Sequence, residues 1–302
     1  MQKLNLCIII ILVVLTSCSQ SGKRHKIGVS QCSEDIWREK QNAELRMGAY
    51  LQGDVELRFA AAYDSDERQV QQIDSLVATG IDLLIVAPNQ VATISPAIDR
   101  AFDKGIPVIV FERKTSSQKY TAFISADNYE MGRVMGEYIV SRLHGRGTVL
   151  EIKGLEGSSP AIERHNGFMD ALKNSPDIKV VGSLQGDWTE ETAYEMTKQW
   201  LANNKDVRVD LVFGANDRTA MGARRAMLEV TTLLPHREGL GDGSLYCGID
   251  GLPGENGGIQ LVRDSLLDAS YIYPTHGDSL NSSYTSVAPR RSPSCCHSSV
   301  PH

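Results

Sequence analysis

From residue 27 onward, short apolar runs rich in Val and Ile alternate with longer stretches whose apolar residues recur at helical spacing. Runs at 27–30, 56–61, 82–87, 107–111 and 121–124 read as strands, and the stretches near 36–51, 67–79 and 91–104 as helices. In the second of these helices Val70, Ile73, Leu76 and Val77 fall on one face. Gly80 and Gly105 each follow a helix, where a C-cap needs positive φ. The second half repeats the scheme. Strands are expected at 148–152, 179–184, 210–213, 245–249 and 267–272, with helices near 128–143, 160–173, 190–202, 219–229 and 254–263. Nearly continuous apolar strands separated by helices predict parallel sheets covered on both faces. The fold class is therefore α/β: two doubly wound parallel-sheet lobes of about 120 residues each, joined by a hinge near Ala126. Lobe 1 is expected over 27–126, lobe 2 over 127–272, and a return towards lobe 1 over 273–278.

The two ends break this pattern. Lys3, an apolar run over 6–15 and then Leu15-Thr16-Ser17-Cys18 have the layout of a secretory signal, too short to span a bilayer. The last four residues resemble a bacterial lipobox. The expectation is a lipoprotein-type signal over 1–18, lipidation at Cys18 and a polar tether over 19–26. An uncleaved signal anchor is the alternative. Either places the folded part on the periplasmic side of a bacterial membrane, or at the cell surface. Residues 279–302 are rich in Ser, contain Pro289, Pro293 and Pro301, and lack periodicity. They read as a disordered or aberrant tail to a fold truncated at its C-terminus.

Composition narrows the function classes. With 302 residues, 41% hydrophobic and 23% charged, the chain has the make-up of a soluble globular protein of about two domains. A net charge of −6 with no basic tract argues against a nucleic-acid partner, which needs clustered cations. The six cysteines are too scattered for a disulfide framework and lack metal-ligand spacing. No phosphate loop, nucleophile elbow or zinc-protease helix occurs. A binding protein without cofactor or metal is expected, not an enzyme.

In parallel sheets, ligands sit beyond the carboxyl ends of the strands. Those positions hold Ser30-Gln31 with Trp37 beyond, then Pro88-Asn89-Gln90, Glu112-Arg113, Lys153-Gly154, Asp187-Trp188, Asn216-Asp217 and Asp250-Gly251. Carboxylates, amides and guanidinium bond hydroxyl pairs, and indole packs on the apolar face of a sugar ring, so the mixture suits a polyhydroxyl ligand. Each residue also has a local reading. Asp250 before Gly251 fits an Asx-turn, Asn216-Asp217 fits a helix N-cap, Glu112 and Arg113 fit a surface ion pair, and the Trp rings fit partial core.

The stretches 105–113, Ala126-Asp127-Asn128 with Gly132, 161–168, Ala215-Asn216-Asp217 and Gly248-Ile249-Asp250-Gly251 resemble those of type I periplasmic sugar-binding proteins. Lactose-repressor-like effector domains share that fold. The resemblance implies that Arg113, Arg164, Asn216 and Asp250 bind sugar hydroxyls. The wider candidate set is Ser30, Asp35, Trp37, Asn89, Glu112, Asp127, Trp188 and Tyr273. Glu112 stands where the family often has Asp, and Cys32-Ser33-Glu34-Asp35-Ile36-Trp37-Arg38 replaces a loop that often carries a Phe pair. That loop and Tyr271-Ile272-Tyr273-Pro274-Thr275 look like the periplasmic sensor segment of Bacteroidetes-type hybrid two-component regulators. The implied function is carbohydrate sensing for a downstream kinase. The alternative is the solute-binding lipoprotein of a sugar ABC transporter, with a permease as partner. A cytoplasmic repressor or an enzyme fits less well. In the family a further lobe 1 helix follows the segment around Tyr273, so loss of that helix should leave one sheet face of lobe 1 uncovered.

Overall fold

The computed structural model describes residues 24–233 and 243–273. Cys18, the signal, most of the tether, the return beyond Tyr273 and the tail over 279–302 lie outside the described residues.

The first sheet is built from β1 (His25–Gln31), β2 (Val55–Ala61), β3 (Leu83–Val86), β4 (Val108–Phe111) and β5 (Ala122–Ile124), interleaved with α1 (Ile36–Gln52), α2 (Asp66–Ala78) and α3 (Val91–Asp103). Then follow α4 (Asn128–Arg142), β6 (Arg146–Lys153), α5 (Ser159–Leu172), β7 (Asp177–Gln185) and α6 (Glu190–Asn203). The described chain closes with β8 (Leu211–Gly214), α7 (Asp217–Leu233), β9 (Leu245–Asp250), α8 (Gly258–Arg263) and β10 (Ala269–Ile272). Both sheets are wholly parallel, with strand orders β2-β1-β3-β4-β5 and β10-β9-β8-β6-β7. Each order reverses beside its first strand, at β1/β3 and at β6/β8. A crevice opens at such a switch point because the two neighbouring connections leave on opposite faces of the sheet.

Capping residues set several helix starts. Oδ1 of Asp35 accepts the N–H groups of Trp37 and Arg38, both at 2.9 Å. Asp127 accepts from Glu130 at 2.9 Å, and Ser65 from Arg68 at 3.2 Å. Each satisfies donors that the first helical turn leaves free. The helix expected at 254–263 begins only at Gly258. Gly254 and Asn256 have φ of +96° and +62°, so residues 254–257 make a turn instead.

Lobe 2 has apolar clusters on both faces of its sheet, one around Phe168, Phe213 and Ile249 and one around Leu150, Val212 and Tyr246. Lobe 1 is uneven. Ile73, Leu84, Ile94 and Val110 fill the face under α2 and α3. Among the described residues, the opposite face carries only Val29, Ile85 and Phe111 as buried apolar residues. Among the described residues an apolar groove of about 510 Å³ runs there beside α1, over Ile27, Leu57, Ile109 and Ile124. Leu45, Gly48 and Ala49 of α1 line one side of this groove. No described helix is long and apolar enough to cross a membrane.

Candidate binding cleft

A cavity of about 300 Å³ lies between the lobes, at the carboxyl ends of both sheets. Eight candidate residues line it: Asp35, Trp37, Glu112 and Arg113 from lobe 1, and Arg164, Trp188, Asn216 and Asp250 from lobe 2. Glu112 follows β4 directly, with φ +64°, uncommon for a side chain with a Cβ. Its N–H donates to Ile124 at 2.7 Å and its carbonyl accepts Ser125 Oγ at 2.8 Å. These bonds hold the strained turn that aims the carboxylate into the cleft. The pair with Arg113 is buried rather than a surface bridge.

Arg113 is fixed from behind. Its Nη1 donates to the carbonyl of Asn89 at 3.0 Å and to Oδ1 at 3.4 Å. Asn89 in turn donates to Asp66 Oδ1 and Gln69 Oε1, both at 2.8 Å. Gln69 also donates to Ser30 Oγ at 3.3 Å. Ser30 and Asn89 are thus buried supports that do not line the cavity. Nε of Arg113 has no hydrogen-bond acceptor, with Glu112 Oε2 3.4 Å away. A buried donor in that state is free for a ligand oxygen.

Arg164 enters from α5. Its Nε donates to Asn128 Oδ1 at 2.9 Å and its Nη1 to the Ala215 carbonyl at 2.6 Å. The nearest oxygen of Asp250 is 4.0 Å away. The α5 backbone reaches this depth because α4 and α5 touch at glycines. A Cβ on Gly132 would lie 2.0 Å from the Arg164 carbonyl oxygen, and one on Gly167 2.0 Å from that of Tyr129. Trp188, at φ +67°, lies over Gly154, where a Cβ would meet the indole at 2.2 Å. Its ring centroid is 5.8 Å from the Arg113 guanidinium and 5.4 Å from that of Arg164. One indole therefore contacts arginines of both lobes.

Asn216 serves two purposes. Its Oδ1 accepts the Thr219 N–H at 2.9 Å, the expected helix cap, and its Nδ2 donates to the Trp188 carbonyl at 3.1 Å. The turn after Asp250 is held by other side chains. The Gly251 N–H donates to Asp217 Oδ2 at 2.9 Å and to Ser270 Oγ at 3.0 Å. Asp217 thus sits behind the cavity and holds the 250–251 turn. Tyr273 also lies beneath the site, its ring 5.0 Å from Trp37 and 5.3 Å from Arg164. Asp127 caps α4 outside the cavity. Arg38, Glu190 and Arg218 line it although sequence patterning did not single them out.

Charge at the site is balanced. Four guanidiniums (Arg38, Arg113, Arg164, Arg218) face four carboxylates (Asp35, Glu112, Glu190, Asp250) around the cavity. Burial pushes the Glu112 carboxyl up, but Arg38, Arg113 and Arg164 outweigh it and hold it below the ordinary carboxylate range. Burial raises Asp250 well above that range, against the pull of Arg164 and with repulsion from Asp217, Asp35 and Glu112. A balanced, hydrogen-bonding cavity suits an uncharged polar ligand, since a net ionic ligand would lack a counter-charge. Among the described residues, no group of three or more His, Cys, Asp or Glu is placed to hold a metal ion.

The lobes also touch at residues outside the cavity lining. The Lys114 N–H donates to Ser159 Oγ at 2.8 Å, the Val91 N–H to the Gly157 carbonyl at 3.1 Å, and Lys114 Nζ pairs with Glu163.

Residues 27–235 match the family model described as a periplasmic binding protein domain. The galactofuranose-binding protein of Escherichia coli K12 is 31% identical over 75% of this chain and 71% of its own length. Among solved structures, the fructose-binding periplasmic domain of a hybrid two-component system is 41% identical. It covers 85% of this chain and 82% of that one, with a TM-score of 0.79. The periplasmic component of the arabinose ABC transporter from Shewanella sp. ANA-3, bound to arabinofuranose, is 26% identical. It covers 83% of this chain and 81% of that one, with a TM-score of 0.75.

Proposed function

The chain belongs to the periplasmic binding protein family, a family of binding proteins rather than enzymes, and from that premise we propose that it is an extracytoplasmic carbohydrate-binding protein. It closes its two lobes around a neutral mono- or small oligosaccharide, as the ligand-sensing part of a two-component regulator. The observation that carries the reading is the cavity itself. Arg113 and Glu112 approach from one lobe and Arg164 and Asp250 from the other, with Trp37 and Trp188 as apolar walls. Only a closed state brings both sets to one ligand, as in hinge closure. A volume of about 300 Å³ is at the small end for ligand pockets and favours a monosaccharide.

Calorimetric titration with D-fructose, D-ribose, L-arabinose and D-galactose tests this. Arg113→Ala and Asp250→Ala should each keep the fold and weaken binding by about 1.5–3 kcal/mol, the scale of charged hydrogen bonds. Unchanged affinity in both would move the site elsewhere. The sensor role is supported by the 41% identity to a two-component sensor domain. A transporter role is the second reading, supported by the likeness to the arabinose transporter component. Whether a membrane span and kinase, or a permease, is encoded next to it separates the two. Attachment through Cys18 belongs to the same proposal, and mass spectrometry of the mature N-terminus should find that cysteine lipidated.

A further inference from the structure

Arg38 occupies the first turn of α1, where a long cationic side chain ordinarily reaches into solvent, yet only 2% of it is exposed. Its Nη2 donates to Glu112 Oε2 at 2.6 Å and to the Cys32 sulfur at 3.0 Å, and its Nη1 donates to Gln41 Oε1 at 3.0 Å. Gln41 Oε1 also accepts Gln31 Nε2 at 3.2 Å. The guanidinium lies 5.0 Å from the Trp37 ring centroid, and its backbone N–H is pinned by the Asp35 cap. Every contact fixes Arg38 inside lobe 1, and one of its contacts is a cleft carboxylate.

Glu112 has a second cation within reach. Arg113 Nε lies 3.4 Å from the same Oε2 and has no hydrogen-bond acceptor. A buried carboxylate stripped of Arg38 would draw Arg113 onto itself, because an uncompensated buried charge is costly. We propose that Arg38 is a positioning residue of the cleft: by holding Oε2 of Glu112, it keeps Oε1 of Glu112 and the Nε edge of Arg113 available to ligand hydroxyls. The proposal rests on the reading of the cleft as a sugar site. The same pairing keeps Glu112 ionised. The groups that face Glu112 are Arg38 from α1, the adjacent Arg113, Arg164 from α5, Asp250 at the end of β9, and Tyr273 after β10. Without Arg38, Glu112 loses its closest counter-charge and a hydrogen bond to its ionised form, so its carboxyl pKa rises.

The test compares wild type, Arg38→Met, Arg38→Lys and the double variant Arg38→Met/Glu112→Gln in calorimetric titrations. D-Fructose, D-ribose, L-arabinose and D-galactose are the probes, at several pH values from about 5.5 to about 8. All other titratable groups of the cleft are common to the four proteins, so the quantity read is the ratio of variant to wild-type affinity. Arg38→Met should bind about 10- to 100-fold more weakly, the factor equivalent to one charge-assisted hydrogen bond. Its deficit should deepen as the pH falls and Glu112 takes up a proton. Arg38→Lys restores a point charge and should return to within about threefold of wild type at every pH. In the double variant residue 112 cannot ionise, so its ratio should not change with pH. The lysine and double variants carry the comparison if the methionine variant does not fold. An Arg38→Met affinity within about threefold of wild type, an Arg38→Lys deficit as deep as a charge loss, or a pH trend that persists in the double variant overturns the proposal. A wild type that binds none of the probes overturns the reading of the cleft, and the proposal with it.

Discussion

Replacing Gly132 with Ala probes how deeply Arg164 is set between the lobes. The added Cβ would lie 2.0 Å from the Arg164 carbonyl oxygen and 2.7 Å from its carbonyl carbon. An ordinary C···O contact is about 3.3 Å, so α5 must retreat by about 1.3 Å at this turn. Both neighbouring atoms belong to backbone, so no rotamer change relieves the clash. The Arg164 bonds to Asn128, at 2.9 Å, and to Ala215, at 2.6 Å, would stretch together. Overpacking a tight contact costs about 1–3 kcal/mol, and the backbone origin of this one places it at about 3. For a protein of this size that is a fall in Tm of about 6–12 °C in a calorimetric scan, with weaker sugar binding beside it. Gly48→Ala is the matched control. Gly48 is also within a helix, and a Cβ there meets nothing within 4 Å. The same change should there stabilise by about 0.5–1 kcal/mol through the lower chain entropy of Ala. If Gly132→Ala melted with the wild type and bound sugar equally well, the close crossing of α4 and α5 would not be what positions Arg164.

Two further outcomes are expected. Asp35→Ala removes the cap that holds Trp37 and Arg38, so urea unfolding should show a loss of about 1 kcal/mol, and sugar affinity should fall with it. His165 gives a pH signature in lobe 2. Its hydrogen bond to buried Glu151, at 2.8 Å, raises the imidazole pKa against partial burial and the charge of Lys153. A raised folded pKa stabilises the fold fully below the unfolded value, about 6.5, and the gain is lost as pH climbs through the folded value. The unfolding midpoints of wild type and His165→Gln should therefore differ most near pH 5 and converge above the folded pKa. A gap that widens with pH would reverse this assignment.

Much of the architecture was legible in the chain because helix and strand periodicity report which side of a local segment is buried. Every expected strand overlaps an observed one, and the carboxyl-end rule led to Glu112, Arg113, Trp188, Asn216 and Asp250, all of which line the cavity. The turn at 254–257 escaped because Gly254 and Asn256 take positive φ inside a segment with helical spacing. Periodicity carries no information about which strand-end side chains turn forward. Ser30 and Asn89 face back towards Gln69 and hold Arg113 from behind. Tyr273 packs under Trp37, while Arg38, in the first turn of α1, comes forward to a carboxylate 74 residues away. Those choices depend on contacts between segments distant in sequence and on left-handed backbone at Glu112 and Trp188. Local patterning determined the elements and where their ends gather. Only the packed tertiary structure decided which of those side chains meet a ligand and which hold the others in place.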